Sequence, residues 1–134
     1  MIQFSPNLVT HVDEIDNQHK ELFNRINAVT SLGAGSVNRD ETEKTLNLLG
    51  LYIIKHFADE EVLQRKSGYP KYKWHHEQHG EYISEFQDLK KEYQKNGAST
   101  EFTLRMNKSM VDWIVKHIKN VDVEFCKYIS GKAI

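Results

Sequence analysis

Histidine is unusually frequent in this sequence, with seven copies in a chain of 134 residues. His56 and Glu60 are four residues apart, and His75 and His79 have the same spacing. Because each residue advances a helix by about 100°, the two members of each pair lie about 40° apart on one helical face and could hold a common centre. One such pair is weak evidence, but two pairs together favour a metal site.

Two further histidines and an aspartate extend the candidate ligand set to the other predicted helices. His19 and His117 fall on the apolar faces of the first and fourth predicted helices. Asp122 follows His117 by five residues, which on an unbroken α-helix would turn its side chain about 140° away. If both residues reach one centre, the helix must bend or end between them, and Lys119-Asn120 is the predicted position of that break.

The chemistry of this ligand set indicates a pair of metal ions. Imidazole and carboxylate groups without a thiolate suit iron or manganese, and seven ligands are too many for one tetrahedral zinc ion. Burying several histidines with carboxylates is unfavourable unless metal or shared protons compensate. Two ions bridged by two carboxylates and one solvent oxygen would use the whole set and leave one coordination position open. The candidate ligands are His19, His56, Glu60, His75, His79, His117 and Asp122.

Four segments with helical periodicity carry these residues. Gly33-Ala34-Gly35-Ser36 and Asn96-Gly97 are the clearest breaks between them. The predicted helices run from about Asp13 or Asp16 to Leu32, from a cap at Asn38 or Asp40 to Gly68-Tyr69-Pro70, from about Lys71 to Lys95, and from a cap at Ser99 or Thr100 to about His117, with a short helical piece from about Val121 to Tyr128.

Four amphipathic helices joined by short turns, with no alternating strand pattern, predict an all-α fold. The expected architecture is an up-down-up-down four-helix bundle with an N-terminal loop and a short C-terminal helical segment. The sequence has no long Pro, Gly or Ser tract, and its length is that of one domain. We therefore expect a single domain over residues 1–134.

Charge and hydropathy exclude several classes of partner. Lys and Arg number 18 against 19 for Asp and Glu, giving a formal net charge of -1, so no strong field attracts nucleic acid or a membrane surface. No apolar run approaches the roughly 18 residues of a membrane helix, and the amino terminus lacks the form of a signal peptide. We expect a cytoplasmic protein with a small partner. Cys126, the single cysteine, cannot form an internal disulfide and is expected to be inert.

The segments around the candidate ligands resemble the hemerythrin family over nearly the whole chain. The full set of seven ligands at these spacings makes the resemblance highly specific. The matching segments are Ile15-Asp16-Asn17-Gln18-His19-Lys20-Glu21-Leu22, His56-Phe57-Ala58-Asp59-Glu60-Glu61, Gly68-Tyr69-Pro70 leading to His75 and His79, and Trp113-Ile114-Val115-Lys116-His117-Ile118 leading to Asp122.

By this resemblance the cofactor is two iron ions, which bind dioxygen reversibly at the open position. The resemblance also implies that a solvent oxo or hydroxo group bridges the irons. An apolar wall of Phe57, Trp113 and Ile114 would slow the entry of water. The implied ligand assignment is His75, His79 and His117 to a six-coordinate iron, His19 and His56 to a five-coordinate iron, and Glu60 and Asp122 to the bridges.

Gln64 departs from the family pattern, which commonly has methionine four residues after the bridging glutamate. It follows Glu60 by one helical turn, so its amide either faces the site or points to solvent at the helix end, and the sequence leaves both readings open. Facing inward, it could hydrogen-bond to Glu60 or hold a water near the open position. His11 is expected to be a solvated loop residue and His76 a surface residue, since His76 points about 100° away from His75.

Three functions are compatible with such a site. The first is a reversible oxygen binder that carries, stores or delivers the gas and is not an enzyme. The second is a di-iron enzyme that reduces peroxide or oxygen or handles nitric oxide. The third is an oxygen or redox sensor, which we rank last because such domains are usually fused to a signalling partner and this sequence has no room for one. The electron donor and the oligomeric state are left open by the sequence.

Overall fold

The computed structural model describes residues 2–33 and 39–132, and these residues form helices and no strand. After a short 3-10 turn at Pro6–Leu8, helix α1 spans Asp13–Gly33. The Asp16 carboxylate accepts hydrogen bonds from the backbone N–H of Thr10 at 2.9 Å and from its hydroxyl at 2.7 Å. This pairing fixes the N-terminal loop to the first turn of α1, where the helix dipole also favours a carboxylate.

Helices α2 and α3 span Arg39–Ser67 and Tyr72–Asn96, close to their predicted limits. Asn38, one of the two predicted caps of α2, lies outside the described residues, and Asp40 lies inside the first turn of that helix. Gly97 ends α3 with a φ of 68°, and its N–H donates to the Tyr93 carbonyl at 2.7 Å. Glycine is favoured here because a side chain rarely tolerates positive φ.

The last helical stretch runs from Thr100 to Lys132 and differs from the prediction. It consists of α4 (Thr100–Arg105), a π-helical segment at Met106–Asp112, α5 (Trp113–His117), a second π-helical segment at Ile118–Asp122, and α6 (Val123–Lys132). The Ser99 hydroxyl caps its start by accepting from the Phe102 N–H at 3.0 Å. The predicted C-terminal helical piece is therefore the end of one longer helical stretch.

The predicted break at Lys119-Asn120 falls inside the second π-helical segment, so its position agrees with the structure, but the helix does not end there. The Val123 N–H bonds to the Ile118 carbonyl five residues earlier, which is the hydrogen-bond pattern of a π-helix. Residues five apart then stack on one face. His117 and Asp122 are brought together by this extra residue in the turn and not by an interruption of the helix.

The main hydrophobic core lies between α1, α2, α3 and the first half of the last helical stretch. It is built from the apolar positions that repeat along each helix, as the periodicity predicted. A second, smaller cluster joins α1 and α6 through Ile15, Tyr69, Phe125 and Cys126. Within the described residues, no helix combines the length and apolar character needed to cross a membrane. The members of the main core that α2 and α3 contribute are Leu46, Leu49, Ile53, Phe57, Tyr82, Phe86, Leu89 and Tyr93.

Candidate metal centre

All seven predicted ligands meet in one buried volume between the helices. Helix α1 supplies one of them, α2 and α3 supply two each, and the last helical stretch supplies two. None is more than 3% exposed. They are His19, His56, Glu60, His75, His79, His117 and Asp122.

The two oxygens of Glu60 face different histidines. Its Oε1 lies 2.9 Å from the Nε2 of His75 and 3.2 Å from the Nε2 of His79. Its Oε2 faces the other way, 3.9 Å from the Nε2 of His56. One carboxylate therefore presents an oxygen to each side of the cluster.

Asp122 divides its oxygens in the same way. Its Oδ1 lies 2.9 Å from the Nε2 of His75 and 3.0 Å from the Nε2 of His117. Its Oδ2 lies 3.1 Å from the Nε2 of His19. The cluster thus contains two overlapping groups that share both carboxylates, each group having its potential ligand atoms within 4.8 Å of one another. One group has three histidines and the other has two.

The donor atoms fit metal ions better than they fit one another. His75 Nε2 and His117 Nε2 lie 3.1 Å apart, although neither nitrogen can accept while it carries a proton. Several other atoms are close neighbours but lack the angles of a hydrogen bond, and a buried polar atom left unpaired costs about 1–3 kcal/mol. These atoms are the Nε2 atoms of His19, His56 and His79 and the four carboxylate oxygens of Glu60 and Asp122.

The cluster shifts the pKa values of its own members. Burial raises the pKa of Glu60 and Asp122, but the surrounding histidines outweigh burial and hold both below their usual range. At His75 burial lowers the pKa, yet the two carboxylates together raise it to about 9. His56 is farther from a carboxylate, and burial lowers its pKa to about 4. The buried negative charge therefore attracts either protons or metal cations.

The far ring nitrogen, Nδ1, of four candidate ligand histidines lies close to a side chain from the preceding long helix. Such contacts orient a ligating ring and keep its Nε2 lone pair free for a metal. At Gln18 the amide orientation is fixed separately, because its Nε2 donates to Asp59 Oδ2 at 3.1 Å. The pairs are Gln18 Oε1 with His56 at 2.7 Å, the Gln64 amide with His75 at 2.7 Å, Glu61 Oε2 with His79 at 2.8 Å, and Gln78 Oε1 with His117 at 3.1 Å.

Sequence reasoning singled out only Gln64 among these four side chains. Gln18 and Gln78 each directly precede a ligand histidine, and Glu61 directly follows the ligand Glu60. A long polar side chain beside a buried ligand was therefore the available signal. It was missed because each of these side chains contacts a histidine on another helix, and not the ligand beside it in the sequence.

Gln64 is fully buried, so the solvent-facing reading is wrong. Its partner is His75 and not Glu60, since its Nε2 lies 2.7 Å from the His75 Nδ1. A ring whose Nε2 binds metal carries its proton on Nδ1 and needs an acceptor there. We therefore assign the amide with its oxygen toward His75, an exchange of two nearly isosteric atoms.

The three residues expected to form the oxygen-pocket wall surround the cluster at different depths. Phe57 is 1% exposed, and its ring lies against His79. Trp113 is half-buried and stacks on His117, with 4.6 Å between ring centroids and 11° between planes. Ile114 is fully buried in the main core.

The remaining polar candidates lie where the sequence placed them. His11 is an exposed loop residue with a φ of 67°, and the His76 side chain is 60% exposed. Cys126 is fully buried, and burial raises the pKa of its thiol to about 12. It therefore has no reactive thiolate at neutral pH, which fits an inert residue.

Comparisons with known proteins agree with this geometry. The family model described as "Hemerythrin HHE cation binding domain" matches residues 10–128. Among curated relatives, the chain is 33% identical to bacteriohemerythrin of Methylococcus capsulatus over 84% of each chain. It is 31% identical to bacteriohemerythrin of Campylobacter jejuni over 90% of this chain and 89% of that one. It is 29% identical to hemerythrin subunit 1 of Golfingia vulgaris over 91% and 88%.

Solved structures give the same result at the level of the fold. A crystal structure of wild-type hemerythrin superposes with a TM-score of 0.83 at 30% identity and covers 97% of this chain and 98% of its own. Hemerythrins are known for binding oxygen at a non-haem di-iron site, and the cluster of histidines and carboxylates fits a metal site. The chain therefore belongs to the hemerythrin family.

Proposed function

We propose that this chain holds two iron ions and binds dioxygen reversibly between its helices, as an oxygen carrier, store or delivery protein. The observation that carries the proposal is the division of the carboxylate oxygens of Glu60 and Asp122. Each residue turns one oxygen toward the three-histidine group and the other toward the two-histidine group. Bridging two cations is the arrangement that uses all four oxygens.

The ligand count supports an open position on one side. Three histidines and two carboxylates, with a bridging solvent oxygen, would give one ion six ligands, while two histidines with the same bridges would give the other five. The pair, when bound, supplies two electrons and a vacant coordination position for dioxygen. In this assignment the vacant position would lie on the side of His19 and His56, two residues that are fully or almost fully buried.

The protein's own contribution is to keep water and protons away from the cluster. Phe57 lies against ligand rings from two helices, and Trp113 covers His117 from its half-exposed side. Ile114 adds an apolar side chain one turn before His117. Apolar walls of this kind slow the loss of a bound anion, because a departing charge is poorly solvated there.

The connection between two of the helices bears on the topology of the bundle. The four-residue connection between α2 and α3 is too short for anything but neighbouring antiparallel helices, which supports an up-down-up-down bundle. We infer one domain over the whole chain, a cytoplasmic location and no catalytic turnover.

Two measurements test the function. Metal analysis of the iron-reconstituted protein should return two irons per chain, and a single zinc per chain would overturn the proposal. Stopped-flow mixing of the diferrous protein with oxygen should then produce a lasting charge-transfer band that disappears under vacuum. Steady consumption of oxygen or peroxide, with no lasting band, would instead identify an enzyme.

A further inference from the structure

The four side chains that meet the Nδ1 atoms of the ligand histidines are not chemically equivalent. Three are neutral amides, whereas Glu61 is a carboxylic acid. Its Oε2 lies 2.8 Å from the Nδ1 of His79, and its side chain is 12% exposed. His79 is thus the one ligand among these four whose far nitrogen is paired with a group that can carry a full negative charge.

The second oxygen of Glu61 also has a hydrogen-bond partner. Its Oε1 lies 2.5 Å from the Nδ1 of His76, whose side chain is on the surface. Glu61 thus has one oxygen toward the cluster and one toward the surface, and a ring nitrogen facing each oxygen suits an ionised carboxylate.

A carboxylate behind a ligating imidazole changes the metal on its other side. By accepting the Nδ1 proton strongly, it makes the ring more basic and a better electron donor. A more electron-rich ligand set favours the ferric over the ferrous ion, which lowers the reduction potential. A neutral glutamine in the same place has a weaker effect, because its amide oxygen carries no net charge.

We propose that Glu61 sets the redox potential of the iron held by the three-histidine group, making that iron the easier of the two to oxidise. This inference rests on the proposed di-iron function. In this role Glu61 is a positioning residue that acts through His79, and its effect is electronic as well as geometric. Gln18, Gln64 and Gln78 orient their rings without adding charge.

A reciprocal exchange of charge tests the role of Glu61. Glu61→Gln keeps the shape of the acceptor and removes its charge, while Gln78→Glu places a carboxylate behind His117 in the same three-histidine group. The potential of the first one-electron oxidation of the diferrous protein is measured by mediated redox titration, and iron content is measured in parallel.

We expect Glu61→Gln to raise this potential and Gln78→Glu to lower it, each by at least a tenfold change in the oxidation equilibrium, or about 59 mV. The double variant should return toward the wild-type value. Two irons per chain with a potential unchanged by either substitution would overturn the inference and leave the di-iron function intact. If Glu61→Gln loses its iron, the test rests on Gln78→Glu alone. An unchanged redox potential in that variant would also overturn the inference. A wild-type protein that binds no iron pair would overturn both proposals.

Discussion

The ring of Phe57 lies parallel to the imidazole of His79, with 3.8 Å between the ring centroids and 3° between their planes. Tyr82 meets the same phenyl ring edge-on at 5.8 Å. Phe57 therefore helps to fix the orientation of the His79 ring, and it fills the space beside the cluster. Its removal should affect both packing and access to the site.

We predict that Phe57→Leu shortens the lifetime of the oxygenated protein at least several-fold, because water reaches the space left by the ring. Phe102→Leu is the matched control, since Phe102 is equally buried but packs against Tyr93 instead of a ligand. Each substitution should destabilise the fold by about 0.5–3 kcal/mol. Decay of the oxygenated absorption band measures the lifetime, and equal decay rates in the two variants would contradict the wall assignment.

The bridging assignment predicts an unequal loss of metal. Glu60→Ala and Asp122→Ala should each lose more iron than His19→Ala, because each carboxylate faces both groups of histidines and His19 belongs to one. His76→Ala is the control and should keep two irons, since its side chain lies on the surface. Iron per chain is measured after gel filtration, and a His19 variant with less iron than both carboxylate variants would refute the assignment.

The sequence was sufficient to predict which seven residues meet in the cluster but not the geometry of the last one. His56, Glu60, His75 and His79 follow the four-residue spacing of an α-helix, so their common face could be predicted by counting. Asp122 could not be placed in this way, because a π-helical turn leaves no compositional mark and α-helical periodicity turns position 122 away. The side chains that contact the Nδ1 atoms of the histidines could not be predicted for another reason. These contacts depend on which helices are neighbours.

The second π-helical segment predicts different tolerance to two deletions. Removing Asn120, an exposed residue within it, should convert the π-turn to an ordinary α-turn and leave the aspartate four residues after His117 on the same face. Removing Lys116, an exposed residue of α5, should rotate His117 by about 100° relative to the helix before it. We expect the first variant to keep most of its iron and the second to lose it. Comparable iron loss in both variants would argue against this role of the π-turn.

The metal-free protein should become less stable in alkali. His75 has a pKa raised to about 9 when folded and about 6.5 when unfolded. Its contribution to stability is therefore fully present below pH 6.5 and is lost as the pH rises through about 9. We expect a decrease of about 1–3 kcal/mol, since a pKa change of one corresponds to about 1.4 kcal/mol. Denaturant unfolding of metal-free protein at pH 6 and pH 9.5 measures it, and the decrease should be smaller in metal-free His75→Gln, where His19 and His79 still have pKa values that the carboxylates raise.

Acid should release the iron from the loaded protein. Ligating imidazoles must be neutral, so protons compete with iron once the pH falls below the free histidine value of about 6.5. Iron retained on the protein is measured after dialysis against a chelator across this range. Iron content that stays constant down to strongly acidic pH would show that histidines are not the ligands.

The side chains that contact the ligand histidines follow one order along the chain, each lying on a helix that precedes the helix of its histidine. Gln18 in α1 orients His56 in α2, Gln64 in α2 orients His75 in α3, and Gln78 in α3 orients His117 in α5. In each helical stretch after α1, a ligand histidine is therefore oriented only once the helix before it has docked. Metal affinity becomes a measure of how well the whole bundle is assembled, so that a substitution at a distant helix interface should be detectable as weaker binding of iron before any loss of helix is seen.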